Sequence, residues 1–585
     1  METIKQMFSK KWDFDKENIF KKIYHSYNHT GKIILVILFS VLILSAIVLL
    51  NDVSKSFMVQ VPIKGGSLTE GLVGAPRFIN PLLATADTDK DLTSLIYSGL
   101  MKIGSNGNVT ADLAKSYSIS KDETVYDFIL KDNLYFQDGT KLTTNDIEFT
   151  IKKAQDPNLK SPRRASFFDV KVEKISDKEI KFTLTKPYGT FLENLTLGIL
   201  PKHIWENMDN NQFTLSPYNL QPVGSGPFKI KSVGSVKKGL TFSSISYDLV
   251  PFGRNLSTEP KVADFIFKFY QTEDALVSAY NSGAVESLSI SSEGIKNLNI
   301  KKSDTTEILS TSRIFAVFFN QNQAPVLSNK EVRTALEMVT DKKEIISNVL
   351  DNYGYAIDSP IPFGITGQIQ KDSDSDVSSS TIASAKALLE KNGWKINATT
   401  GIYERTVKKV KQVLSFSIST ANTPRFLEAT NLIKNQWEKI GADVTVKAFE
   451  SGDLQQNVIA TRKYDALYFG EATGRDMDMF PFWHSSQRVD GYNVALYTNS
   501  KADKIIDDAR ATLDKVNRTK KYQLLENEIT NDIPAIFVYS PDYLYIIPNK
   551  IKGASFGPIT TSPDRFLSAT SWYIETDSVW KIFTR

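Results

Sequence analysis

From Ile33 to Leu50 the chain runs through eighteen positions that are apolar except for Ser40 and Ser45. As a helix rising about 1.5 Å per residue, this run covers about 27 Å, close to the hydrocarbon thickness of a bilayer. A cleavable signal has an apolar stretch of about 7–15 residues and a small-x-small exit. Here the run is longer and leaves through LLNDVSKSFMVQ. A buried core helix of this length would carry a polar edge, and none is present. The pattern predicts a transmembrane helix over 33–50 that is retained. Seven lysines against four acids stand in the first 32 residues, and positive flanks stay on the cytoplasmic side. Residues 1–32 are therefore predicted inside and the bulk of the chain outside. Phe8, Trp12, Phe14, Phe20 and Tyr24 among those lysines suit either an interfacial amphipathic helix or a solvated tail.

After the spacer SKSFMVQVPIKGG the pattern changes to alternating strands and helices. β-Branched and aromatic runs predict strands at Tyr126–Leu130, Ile180–Leu184, Phe265–Tyr270, Ile314–Phe319 and Val413–Ile418. Helical spacing predicts helices at Asn145–Ala154, Lys330–Val339, Ile382–Asn392, Arg425–Ile440, Ser500–Leu513 and Arg518–Asn531. In RFLEATNLIKNQWEKIGADVTVKAF, one face carries Leu427, Leu432, Ile433, Trp437 and Ile440; Gly441 ends the helix and DVTVKAF begins a strand. This is half of a βαβ unit and predicts an α/β sheet. The acidic, serine-rich patch Gln370–Lys386 reads as a surface loop that ends in N-cap serines. No linker is long enough to separate independent modules.

Composition narrows the chemistry. The formal net charge of +4 is mostly N-terminal, so no concentrated basic field marks a nucleic-acid surface. There is no cysteine, which removes disulfides, thiolate chemistry and lipid attachment through an N-terminal cysteine. Of four histidines, only His203 and His484 lie outside the predicted cytoplasmic tail. No HExxH, EF-hand loop, P-loop, GxGxxG or GxSxG occurs, so the pattern points to no metal or cofactor and to no enzyme. What stands out is a tethered α/β module with aromatic and polar loops punctuated by Gly and Pro. That suits a cleft in which apolar faces bury a ligand and a few fixed polar groups orient it.

The segments themselves resemble a known family. NPLLATADTDKDLTSLIYSGLM (80–101), DNLYFQDGTKLTTNDIEFTIKKAQDP (132–157) and PVGSGPFKI (222–230) are similar to stretches of the extracytoplasmic solute-binding proteins of the oligopeptide/dipeptide/nickel class. NSGAVESL, VRTALEMVTDKKEI, WEKIGADVTV, YDALYFG and PAIFVYSPDYLY follow in the same order. The resemblance spans roughly residues 65–560 and implies a type II periplasmic-binding fold. Lobe I would cover 56–308, with an extra subdomain at about 110–217, and lobe II 309–537. Residues 538–585 would return to lobe I, with hinge strands near Arg313–Phe319 and Ala535–Tyr539. Its implied role is to capture peptides between the lobes as a monomer and deliver them to the permease subunits of an ABC importer. A sensor or pheromone-type receptor, or an external hydrolase with an unrecognised carboxylate pair, remain as alternatives. Family loops that line the cleft correspond to Thr85, Ala86 and Asp87 in lobe I, and to Gly470, Glu471 and the run after it in lobe II. Asp476, Asp478 and Trp483 are further candidates there. An ammonium desolvated in a cleft needs a charged acceptor, and Glu471, Asp476 and Asp478 each offer one. The YFQDGTKL and PVGSGPFKI motifs have structural explanations, as a turn that leads into Thr143/Thr144 caps and as tight backbone turns.

Overall fold

The computed structural model describes residues 28–104, 107–238, 241–256, 259–361, 377–475, 477–489 and 491–583. The chain divides into a small unit, residues 1–63 with 575–585, and a larger unit, residues 64–574.

In the small unit the apolar run forms one helix, His29–Ser56. Within it, the 25 residues His29–Val53 are long and apolar enough to cross a membrane, and their apolar stretch is not buried against the rest of the chain. The aromatic and basic N-terminal pattern expected as a tail lies outside the described residues. Immediately after the helix, strand Met58–Ile63 pairs antiparallel with Glu575–Trp580. The last described strand thus lies against the segment that directly follows the helix. The β-branched Val59, Val61, Thr576 and Val579 are compatible with this ribbon.

In the larger unit the described residues build a twelve-stranded sheet. Its main path runs Asp443–Phe449, Ser415–Ala421, Ala466–Ala472, Arg313–Phe319, Ala535–Pro548, Ser287–Ile290, Gly65–Val73, Val262–Tyr270, Thr241–Pro251, Phe228–Lys238. The fourteen-residue strand Ala535–Pro548 belongs to both lobes. Its first part pairs with Phe315–Phe318 and its last part with Asp304–Ser310. The crossover lies at Thr311–Ser312 and Ser540–Pro541, where Thr311 Oγ1 donates to Pro541 O at 2.7 Å.

The predicted βαβ unit is present. Strands Ser415–Ala421 and Asp443–Phe449 pair in parallel across helix Pro424–Glu438. The helix buries Ala429, Ile433 and Trp437, while Leu427 and Leu432 are half-buried. Ile440 is buried too, and Leu432 packs against the same core. Helix Thr144–Gln155 begins with a capping box from Thr143 and Asp146, and it lies on a separate antiparallel sheet of 114–119, 125–130, 179–184 and 170–174. Ser378 caps helix Ser379–Lys391; residues 370–376 of the predicted acidic loop lie outside the described residues. One core gathers around Phe265, Phe267, Phe566 and Trp572, and two others flank the lobe II sheet.

Candidate functional site

The lobe I loop is fixed from within. Asn80 is fully buried; its amide donates to Asn219 Oδ1 at 3.0 Å, and its Oδ1 accepts the Leu82 N–H at 2.9 Å. Ser161 Oγ holds Leu82 O at 2.7 Å. The Asp89 carboxylate accepts the amides of Arg77 and Phe78 at 2.7 and 2.9 Å. These bonds leave Thr85, Ala86 and Asp87 exposed at the start of helix Asp87–Ile96. Ala86, at the N-cap, provides no side-chain acceptor, so the first N–H groups of the helix and its positive dipole end remain available to a polar ligand.

One turn further on, Asp91 receives Arg565 Nη1 and Nη2 at 3.0 and 2.6 Å. Arg565 Nε reaches Glu70 Oε1 at 3.1 Å, and Glu70 also accepts Ser287 Oγ and the Tyr545 hydroxyl. The three charged side chains are fully buried. Burial raises both carboxyls; it opposes the guanidinium charge too, but Asp91, Tyr543 and Glu70 outweigh it and hold Arg565 above its ordinary range. The cluster pins the helix that carries Asp87 to the sheet and to the C-terminal turn.

In lobe II, strand Ala466–Ala472 pairs with Arg313–Phe319 and places Glu471 opposite Ile314. Gly470 faces the other way, and a Cβ there would come within 2.9 Å of the Phe315 ring. Glu471 is 6% exposed, and its Oε1 has no hydrogen-bond partner among the described residues. Burial alone pushes its carboxyl well above the usual range. Just beyond, Ser312 Oγ donates to Thr473 O at 2.8 Å, so Glu471 lies two residues from the crossover between lobes. Asp478 is engaged elsewhere: Arg510 Nη2 stands 3.1 Å away, and the Phe480 amide donates to it at 3.1 Å. Trp483 is 1% exposed and packs against Phe318, Tyr497 and Phe537. Asp476 lies outside the described residues.

Among the described residues the lobes touch through Arg475, in the run after Glu471, and through residues that the sequence analysis did not single out. Arg475 Nη2 lies 2.7 Å from Asp564 Oδ2, and Asp564 precedes Arg565, which holds Asp91. The Arg475 contact lacks hydrogen-bond alignment and is a charge contact. At a second bridge the Gly189 amide donates to Arg510 O at 2.7 Å, and Arg518 Nη1 to Gly189 O at 3.2 Å. The Arg510 guanidinium sits over Phe480 and Tyr188 at 4.3 and 5.2 Å. At a third, Arg425 Nη2 approaches Ser292 Oγ at 3.3 Å, beside the half-buried rings of Phe315 and Phe426. These partners are remote in sequence, and no local periodicity marks them. A hollow of about 520 Å³ lined by Glu337, Lys342, Asp358 and Glu526 belongs to lobe II and includes none of these bridging residues.

The model of the bacterial extracellular solute-binding proteins, family 5 (middle region), matches residues 108–503. The oligopeptide-binding protein AppA of Bacillus subtilis (strain 168) is 29% identical over 507 residues, covering 85% of this chain and 90% of its own length. Its structure in complex with a nonapeptide superposes with a TM-score of 0.67 at 26% identity, over 88% of this chain and 100% of that one. The ABC transporter substrate binding protein CtaP of Listeria monocytogenes gives a TM-score of 0.70 at 26% identity, covering 87% of this chain and 99% of its own. NikZ of Campylobacter jejuni, in complex with Ni(L-His), gives 0.68 at 25% identity, covering 87% and 99%.

Proposed function

The chain belongs to family 5 of the bacterial extracellular solute-binding proteins, and from that premise we propose that it is a membrane-tethered capture protein for peptides. In this reading a peptide binds between the lobes, without chemical change, and is handed to an ABC importer in the same membrane. The helix His29–Ser56 keeps the chain there, N-terminus inside. The observation that carries the peptide assignment is Glu471, a buried carboxyl with an unfilled oxygen beside the interlobe crossover. A buried acceptor of this kind is costly when unpaired and gains most from a cationic donor. The terminal ammonium of a peptide is such a donor. AppA, by its name and its nonapeptide complex, supports the same ligand class. Thr85, Ala86 and Asp87 would contribute from lobe I, and Gly470 lets the Phe315 ring pack against the lobe II strand. Asp478 and Trp483 would support the lobe II wall from behind.

Calorimetry on the full chain in lipid nanodiscs tests this with matched peptides that carry a free or an acetylated amino terminus. Free peptides are expected to bind at least about tenfold more tightly, a difference of about 1.4 kcal/mol, and Glu471→Gln is expected to abolish that preference. Equal affinity for both peptides in the unsubstituted protein would remove the assignment of Glu471.

A further inference from the structure

The residues just beyond the apolar helix form a surface that capture of a ligand does not use. Phe57 follows the helix directly, and its ring stacks on Trp580 with centroids 6.5 Å apart and planes within 5°. The Lys581 amide donates to Phe57 O at 3.0 Å, which turns the chain end back toward the helix terminus. Phe57, Trp580, Ile582 and Phe583 are 58, 42, 72 and 75% exposed. Water alone does not favour four large apolar side chains left together on one end of a two-stranded ribbon.

The ribbon is also sorted along its length. Its two pairs nearest the helix, Met58 with Trp580 and Val59 with Val579, are apolar on both strands. Each of the four remaining pairs, from Gln60–Ser578 to Ile63–Glu575, contains a polar or charged residue. Polarity therefore rises with distance from the apolar helix, as it does across a membrane surface. The depth agrees. Phe57 lies four residues past Val53, the end of the membrane-length segment, or about 6 Å along a helix. The headgroup layer on each side of the hydrocarbon is about 5–7 Å thick, and aromatic side chains are enriched there. Exposed Lys55 and Lys581 flank the patch and suit anionic lipid.

We propose that Phe57, Trp580, Ile582 and Phe583 form an interfacial lipid-binding patch that seats the C-terminal end of the chain in the headgroup layer of the bilayer crossed by His29–Ser56. The proposal rests on the reading of that helix as a membrane anchor. It gives the chain a second membrane attachment, residues 580–583, joined by the ribbon to the segment that follows the helix.

The absence of cysteine makes single-site labelling direct. Ile582→Cys, Leu44→Cys and Val410→Cys are each made in the full chain, labelled with an environment-sensitive fluorophore and placed in vesicles of phosphatidylethanolamine and phosphatidylglycerol. The label at 582 is expected to emit to the blue of the label at 410 and to be quenched by lipids brominated near the headgroup. The label at 44 is expected to be quenched by lipids brominated deep in the chains. Replacing Phe57 and Trp580 by Ser should return the 582 label to the emission of the 410 label. If 582 reports water while 44 reports hydrocarbon, the patch is wrong and the anchor stands. If both report water, the anchor and the patch fall together.

Discussion

Two acidic residues near the crossover tie ligand binding and stability to pH. Burial raises the Glu471 carboxyl well above its usual range, whereas a bound ammonium favours its ionised form. Binding should therefore release a proton, and affinity should fall as pH drops below the raised value of the empty site. Calorimetry in two buffers of different ionisation heat reads the released proton directly, and Glu471→Gln should eliminate it. The same change should stabilise the unliganded protein at neutral pH, since a glutamine is buried uncharged without taking up a proton, whereas burial penalises the ionised carboxylate. Thermal melts of the unliganded protein that show no gain would count against this environment for Glu471. Asp542 is the second residue. It follows the crossover at Ser540–Pro541, and burial raises its carboxyl to about 6. The unfolded value is lower, so the folded state binds the proton more tightly, and the stability tied to that proton is lost as pH rises through about 4 to 6. Asp542→Asn should leave stability unchanged near pH 4 and increase it near pH 7, as read by denaturant melts at both pH values.

At the scale of elements, the strongest local test is the turn that carries Gly189. A Cβ at this position would lie 2.2 Å from Thr512 O, so Gly189→Ala cannot keep both the amide bond to Arg510 O and the bond that Gly189 O accepts from the Arg518 guanidinium. The substitution should loosen the contact between the subdomain and lobe II while the helix Thr144–Gln155 and its sheet stay folded. Hydrogen exchange should quicken at the Gly189 amide and not in that sheet. Its opposite is Thr143→Ala, which removes a cap inside the subdomain and should cost about 1 kcal/mol in stability with no change in the interlobe contact. The elements themselves were legible because each has a local cause. Thr143 precedes a helical stripe, and DVTVKAF is a strand from Asp443 to Phe449. Trp437, Ile433 and Ile440 are buried as their helical spacing predicts, while Leu427 at the edge of that stripe is only half-buried. The candidate site was legible only as two loops. Its bridges pair Arg475 with Asp564 and Gly189 with Arg510, and nothing in the spacing of such residues joins them. The ribbon of Met58–Ile63 with Glu575–Trp580 was hidden for the same reason, since its strands come from opposite ends of the chain.

For the larger unit as a whole, function depends on how firmly the lobes hold each other before ligand arrives. The lobes share one continuous strand, Ala535–Pro548, so they can move relative to each other only by bending at Thr311–Ser312 and Ser540–Pro541, the behaviour of a hinge. Away from the hinge, Arg475 and Asp564 touch with side chains 18 and 9% exposed. Asp564 is otherwise fixed, because its carboxylate accepts the amides of Thr560 and Thr561 at 2.7 and 3.0 Å. Arg475→Ala thus removes an interlobe charge contact and leaves lobe I folded. The contact is partly desolvated but poorly aligned for hydrogen bonding, which places its worth at about 1–2 kcal/mol. An equilibrium shifted by that amount moves about five- to thirtyfold toward the open form. A ligand that needs the closed form then binds more weakly by the fraction of closed molecules lost. Two spin labels, one on each lobe of the cysteine-free chain, should show a longer distance population in Arg475→Ala without peptide. Saturating peptide should restore the shorter one, because ligand held by both lobes supplies the missing free energy. Raising ionic strength should lengthen the unliganded distance only modestly in the unsubstituted protein, since a pair this buried is poorly screened. If the substitution leaves both the distance distribution and the peptide affinity unchanged, closure is governed by the Gly189–Arg510 bridge instead, and Gly189→Ala should then produce the longer distances that Arg475→Ala did not.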